Sequence, residues 1–110
     1  MVVVAAAAYG FLTAGPGGSA GPPVISTPRD RQVFLPATVT APSTGTVRLL
    51  YRNESSVSHN LTFLDPLSVA TRTILEPGTE ELLEFPAPPS GSYRFRCTIH
   101  PGMEGTLTVQ

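Results

Sequence analysis

Tyr93-Arg94-Phe95-Arg96-Cys97 runs directly into Thr98-Ile99-His100-Pro101-Gly102-Met103, and this stretch decides how the rest of the chain is read. Tyr93, Phe95 and Cys97 alternate with Arg94 and Arg96. A period of two marks a half-buried strand, with the apolar residues on its inner face. The strand therefore delivers Cys97 inward. The alternation then stops, and Cys97, His100 and Met103 follow one another at intervals of three in a tight loop. Pro101 stiffens that loop and removes a donor, and Gly102 permits a sharp path.

The same period recurs upstream. Val47, Leu49 and Tyr51 lie on one face of Thr46–Asn53, with Arg48 and Arg52 on the other; Leu50 breaks the pattern. His59, Leu61 and Phe63 share a parity in a strand predicted over His59–Leu64, so His59 points to the side of core residues. Gln32–Leu35 reads as a short strand stopped by Pro36, and Thr38–Thr40 as another, before the turn Ala41–Gly45. Thr71–Leu75 and Thr79–Phe85 flank Glu76-Pro77-Gly78, a hairpin-type signal. Gly105–Gln110 resumes the β pattern with Leu107 and Val109 inward. About seven to eight short strands at this spacing predict an all-β fold, a Greek-key β-sandwich.

The chain has 110 residues, enough for one core and not two. Its net charge is −1 and its charged fraction 14%, and no basic patch argues for nucleic acid. All seven positive residues are Arg. A single cysteine cannot form an internal disulfide, so something else must supplement a small exported core, and a bound metal would do so.

Taken singly, a lone cysteine is usually a buried small hydrophobe and a lone methionine is usually packing. Together, His59, Cys97, His100 and Met103 make up the donor set of a type 1 copper site, a trigonal His₂Cys centre with a weak axial Met. Thiolate and thioether favour Cu(I), and imidazole suits both oxidation states. Zinc fits less well, because thioether is a poor ligand for it. A cysteine protease needs a base and an oxyanion hole in a substrate cleft, which a cysteine at the root of a tight loop does not offer. Two histidines and one cysteine are too few for a multicopper cluster or a cysteine-bridged binuclear centre. No enzymatic activity is expected. Asn60 is placed to tie the two ligand-bearing loops together, for instance through Thr98, and a backbone N–H near Asn60 is expected to point at the Cys97 sulfur.

These residues resemble the cupredoxins, the small blue copper proteins that include plastocyanin, amicyanin and halocyanin. The similarity covers roughly Val33 to Val109. It is carried by Val33-Phe-Leu-Pro36, by Ser58-His59-Asn60-Leu61-Thr62-Phe63, and most specifically by Phe95-Arg-Cys97-Thr-Ile-His100-Pro-Gly-Met103-Glu-Gly105. The two residues between His100 and Met103 match the short, amicyanin-like form of the loop. The resemblance implies one copper ion held by His59, Cys97 and His100 as equatorial ligands and Met103 as the axial one. It implies a carrier of single electrons between larger redox proteins outside the cytoplasm, acting as a monomer with transient contacts to donor and acceptor. His100 would lie near the surface as the electron exit, with Pro101, Gly102 and the Ser56–Ser58 turn bordering the docking face. A copper-binding or delivery module is the competing reading, though the Met- and His-rich exposed clusters usual for exchange are absent.

Residues 1–23 differ in kind from residues 24–110. Met1–Ala14 is nearly all apolar and resembles the core of an export signal, with Gly18-Ser19-Ala20 offering small residues for cleavage. Its positively charged start is missing and is expected upstream of Met1. A membrane tether is the rival reading, although a full span takes about 20 apolar residues. Gly15–Pro23 reads as a Gly/Pro/Ser linker leading to the copper-binding domain at 24–110. The expected location is extracytoplasmic, in the periplasm or on the outer face of the cell membrane.

Overall fold

The computed structural model describes residues 21–110, and these form seven strands and no helix. The apolar segment Met1–Ala14, the expected cleavage residues Gly18–Ala20 and most of the expected linker lie outside the described residues. The strands are β1 (Val24–Thr27), β2 (Thr38–Ala41), β3 (Thr46–Asn53), β4 (Thr62–Phe63), β5 (Glu80–Pro86), β6 (Gly91–Arg96) and β7 (Glu104–Val109). One sheet has the order β1-β3-β5 and the other β2-β7-β6-β4. The chain changes sheet at every connection from β1 to β6, so the inner faces of both sheets share one core. The all-β sandwich expected from strand spacing is the fold that forms.

Alternation governs which residues fill that core. In β3, Val47, Leu49, Tyr51 and Asn53 are buried while Arg48 and Arg52 face outward. Their register partners are acidic: Arg48 lies opposite Glu84 and bonds it at 2.6 Å, and Arg52 lies opposite Glu80 at 3.0 Å. On the other sheet Arg94 pairs with Glu104. Exposed pairs of this kind contribute about 0–1 kcal/mol each, so they favour register more than stability.

The core is held largely by aromatic edges. Phe34 meets Tyr51 and Phe95, and Phe63 meets Phe95 and Phe85, all edge-on with centroids 5.1–5.7 Å apart. Such contacts add about 0.5–1.5 kcal/mol each beyond the area they bury. Tyr51 is fully buried, and its hydroxyl meets the buried Thr27 hydroxyl at 2.6 Å. Burial pushes the Tyr51 hydroxyl up to about 12, against the opposing effect of that hydrogen bond.

Three expected segments come out differently. Gln32–Leu35 is not a strand; Leu35 makes an isolated bridge to Ser26, and its neighbour Phe34 is a core residue. The strand predicted over His59–Leu64 is cut to Thr62–Phe63, with His59 in an isolated bridge to Leu75. Thr71–Leu75 is not the hairpin partner of the following strand. β5 pairs with β3 instead, and the Glu76–Gly78 turn donates its Gly78 N–H to Asn53 O at 2.8 Å. Long-range pairing outweighed the local turn signal, because β3 offers a ladder of seven pairs and Thr71–Leu75 is only five residues long.

Gly105, on β7, lies opposite Phe95. A Cβ there would collide with the Phe95 ring and with Ala37 O. The ring is locked between Phe34 and Phe63, so it cannot move aside. Gly105→Ala should therefore destabilise the fold by about 1–3 kcal/mol, the usual range for overpacking. Urea denaturation checks this, and an unchanged midpoint would contradict the packing described.

Candidate metal centre

The sandwich ends where β6 gives out into the loop between Cys97 and Met103. Cys97 follows the last residue of β6 and is buried. Its N–H donates to Met103 O at 3.0 Å, and the Met103 N–H donates to His100 O at 3.3 Å. These two bonds close the loop at its base. Gly102 takes φ 87°, a conformation open to glycine and costly to residues with a Cβ. Met103 is buried at the foot of the loop, Pro101 and Gly102 are exposed, and His100 is half-buried.

His59 arrives from the segment before β4, the neighbour of β6 in the same sheet. Its backbone pairs with Leu75 in both directions, at 3.2 and 3.0 Å. Its ring is fully buried, and its ring centroid lies 4.5 Å from that of His100. His59 Nδ1 is 3.9 Å from Cys97 Sγ, and His100 Nδ1 is 3.6 Å from it. One donor atom from each of the three residues lies within 4.8 Å of the others. The structure thus brings together three of the four predicted donors, His59, Cys97 and His100, and places Met103 at the loop base beside Cys97.

The donors fit a metal ion on chemical and geometric grounds. Metal bonds of about 2.0–2.1 Å to nitrogen and about 2.3 Å to thiolate, set at a trigonal angle, span a nitrogen-to-sulfur distance of about 3.7 Å. The two observed separations bracket that value. Among the described residues His59 Nε2 is buried without a partner, and Nδ1 has only the Cys97 sulfur within hydrogen-bond reach. Buried polar groups are nearly always hydrogen-bonded, so an imidazole without a conventional bond points to a ligand for it. The cluster is suited to a type 1 copper site, with thiolate, two imidazoles and a thioether in the donor set.

The surrounding polar groups hold the two donor-bearing segments in place. Asn60 Nδ2 donates to Thr98 Oγ1 at 2.8 Å and to Thr73 O at 2.9 Å, and its Oδ1 accepts the Thr98 N–H at 3.1 Å. The tie expected between Asn60 and Thr98 is therefore present twice over. Continuing the β4–β6 register by two residues puts Asn60 opposite Thr98. The side-chain amide thus takes over where the backbone ladder stops. The backbone N–H expected to point at the Cys97 sulfur makes no hydrogen bond to it among the described residues. Sequence reasoning missed Thr71, whose hydroxyl accepts the Leu61 N–H at 3.0 Å, and Asn53, a buried amide at the end of β3. The only sequence signal for Asn53 was its parity with Val47, Leu49 and Tyr51.

A family model described as a cupredoxin-like domain matches residues 2–109. No curated protein matches the chain. Among solved structures, a reduced auracyanin from Roseiflexus castenholzii superposes with a TM-score of 0.72 at 24% identity, covering 84% of this chain and 99% of that one. A purple cupredoxin from Nitrosopumilus maritimus gives 0.64 at 24% identity, covering 80% and 99%. A reduced amicyanin variant gives 0.65 at 18% identity, covering 82% and 83%. At these identities the structural likeness speaks for the fold alone.

Burial, and secondarily the neighbouring His100, hold the His59 imidazole below its ordinary value of 6.5. The unfolded chain therefore takes up a proton there before the folded one does. Its contribution to stability is fully present above about pH 6.5 and is lost as pH falls toward the lowered folded value. Metal-free protein should show a lower urea midpoint at about pH 5.5 than at about pH 7.5. A His59→Gln variant with the same pH dependence as the wild type would refute this assignment.

Proposed function

We propose that this chain, which belongs to the cupredoxin-like domain family, carries single electrons by cycling one type 1 copper ion between Cu(I) and Cu(II). The observation that carries this reading is the convergence of His59, Cys97 and His100 within 4.8 Å, with sulfur facing two imidazole Nδ1 atoms. Cys97 would supply the thiolate, His59 and His100 the other equatorial donors, and Met103 the weak axial thioether. Copper would supply the one-electron chemistry. The protein's part is to keep the donors in one arrangement that neither oxidation state can greatly alter.

The frame described above suits that part. Asn60 clamps both segments, and three of the four donors are sealed from water. A donor set fixed before the electron arrives changes little when the charge changes, which favours rapid transfer. Sealing also disfavours copper delivery, which calls for donors that an acceptor can reach. His100 is the donor nearest solvent and is the proposed exit for the electron.

Exposed apolar residues gather on the segments around it. Ile99 is next to His100, Val57 lies in the turn before His59, and Ile74 stands between Thr73, held by Asn60, and Leu75, paired with His59. With Pro101 and Gly102 they would form a docking face for larger redox proteins. Contacts there would be small and transient, as is usual for such encounters. The reading includes no catalytic step. It places the domain outside the cytoplasm, exported or tethered through its apolar N-terminal segment, and acting as a monomer.

Copper-loaded protein should show intense visible absorption in the Cu(II) form that disappears on reduction. Cys97→Ser should abolish it, because the colour requires the thiolate. Retention of that absorption in the serine variant would overturn the reading. Rapid surrender of the copper to a chelator, with slow electron self-exchange, would favour delivery instead.

A further inference from the structure

We propose that Asn53 is a positioning residue for the His59 donor, acting through the backbone on both sides of it. The proposal rests on the metal-site reading above. Asn53 ends β3 and is fully buried. Its backbone is held at both groups: the N–H donates to Thr79 O at 2.9 Å, and the carbonyl accepts from Gly78 at 2.8 Å. Its side chain is equally occupied. Oδ1 accepts from the Ser55 N–H at 3.0 Å and from Ser55 Oγ at 2.8 Å. Nδ2 donates to Val57 O and to Leu75 O, each at 2.9 Å.

The orientation of the amide is dictated by these partners. Two carbonyls on one side require the nitrogen, and the Ser55 N–H on the other requires the oxygen. The carbonyls are the informative pair. Val57 lies two residues before His59. Leu75 is its bridge partner, and Leu75 O accepts both the Asn53 amide and the His59 N–H. One NH₂ group therefore fixes the chain leading into His59 and the segment against which His59 is paired.

This matters because, among the described residues, the His59 ring makes no conventional hydrogen bond that would orient it. Nε2 is without a partner and Nδ1 faces sulfur. Metal-binding histidines are commonly oriented by a hydrogen bond from the second ring nitrogen. Here orientation falls to the backbone frame, and Asn53 is the buried side chain that joins its two halves. Asn60 cannot substitute for it, since its bonds reach Thr73 and Thr98 rather than Val57 and Leu75.

The test compares Asn53→Asp with Ser55→Ala. The first keeps the shape and the acceptor but removes both N–H donors. The second removes the Ser55 hydroxyl, together with its own contacts to Val57 O and the Val57 N–H, while leaving the Asn53 amide on Val57 and Leu75. In metal-free protein, Asn53→Asp should strip hydrogen-exchange protection from the His59 and Leu75 amides, and Ser55→Ala should not. In copper-loaded protein, Asn53→Asp should weaken Cu(II) binding by about 10–100-fold, the range seen when groups that orient a ligand are removed, and should alter the visible spectrum. Ser55→Ala should keep both near wild type. If the buried carboxylate prevents folding, Asn53→Ser, too short to reach both carbonyls, takes its place with the same expected direction. The proposal is overturned if the Asn53 variant loses melting temperature only, with His59 and Leu75 still protected and copper bound as in the wild type. If wild-type protein binds no copper, the functional reading falls, and the exchange comparison on metal-free protein still decides the placing role.

Discussion

Two segments nearly forty residues apart must meet at one end of this sandwich, and the strands that carry them pair over only two residues. Beyond a bond from the Leu64 N–H to Arg94 O, β4 and β6 share only the pairs Phe63–Phe95 and Thr62–Arg96. Past that point the backbone ladder ends, and the Asn60 side chain continues it by bonding the Thr98 N–H and hydroxyl. A regular ladder carried on to Thr98 would bind the two backbones together along the stretch where His59 and Cys97 stand. A side-chain amide holds the segments together while leaving the backbone free to turn. The histidine and the cysteine then face each other across 3.9 Å.

The core beneath serves this end of the molecule. Phe95 lies two residues before Cys97 on the same inward face, and its ring is fixed by Phe34, Phe63 and the bare backbone of Gly105. Close packing transmits such constraints, because a full interior leaves no slack into which a strand could rotate. The parity that buries Phe95 therefore also sets where the thiol points. Packing places the sulfur, and hydrogen bonds place the imidazole of His59. The two donors are positioned by different kinds of force.

Most of the donor set was legible in the chain itself. Alternation around Tyr93–Cys97 and around His59–Phe63 states which way Cys97 and His59 face, and the interval from Cys97 to Met103 states that one loop holds three donors. The Asn60–Thr98 tie could be anticipated because Asn60 adjoins a donor. The role of Thr71–Leu75 could not. That segment meets His59–Leu61 through scattered contacts, Leu75 with His59, Thr73 with Asn60 and Thr71 with Leu61, and no periodic pattern encodes so irregular a set. Asn53 was hidden for the opposite reason. It obeys the parity of β3, so it reads as one more inward position, and only the fold shows that residues 55–57 and 75–79 converge on its amide and backbone. Gly105 was silent because a missing side chain signals nothing until its neighbour is known.

The burial of the donors is graded, and the gradient has a kinetic meaning. His59, Cys97 and Met103 are closed off, while His100 is half open. An ion seated among them would have a single doorway, and His100 would be the door. Departure would wait on one imidazole swinging aside, however tightly or loosely the other donors hold. On the proposed function electrons would need no such opening, since they would pass through the ring while it stays in place. A single half-exposed histidine would thus separate two kinds of traffic, retaining the metal while conducting the charge.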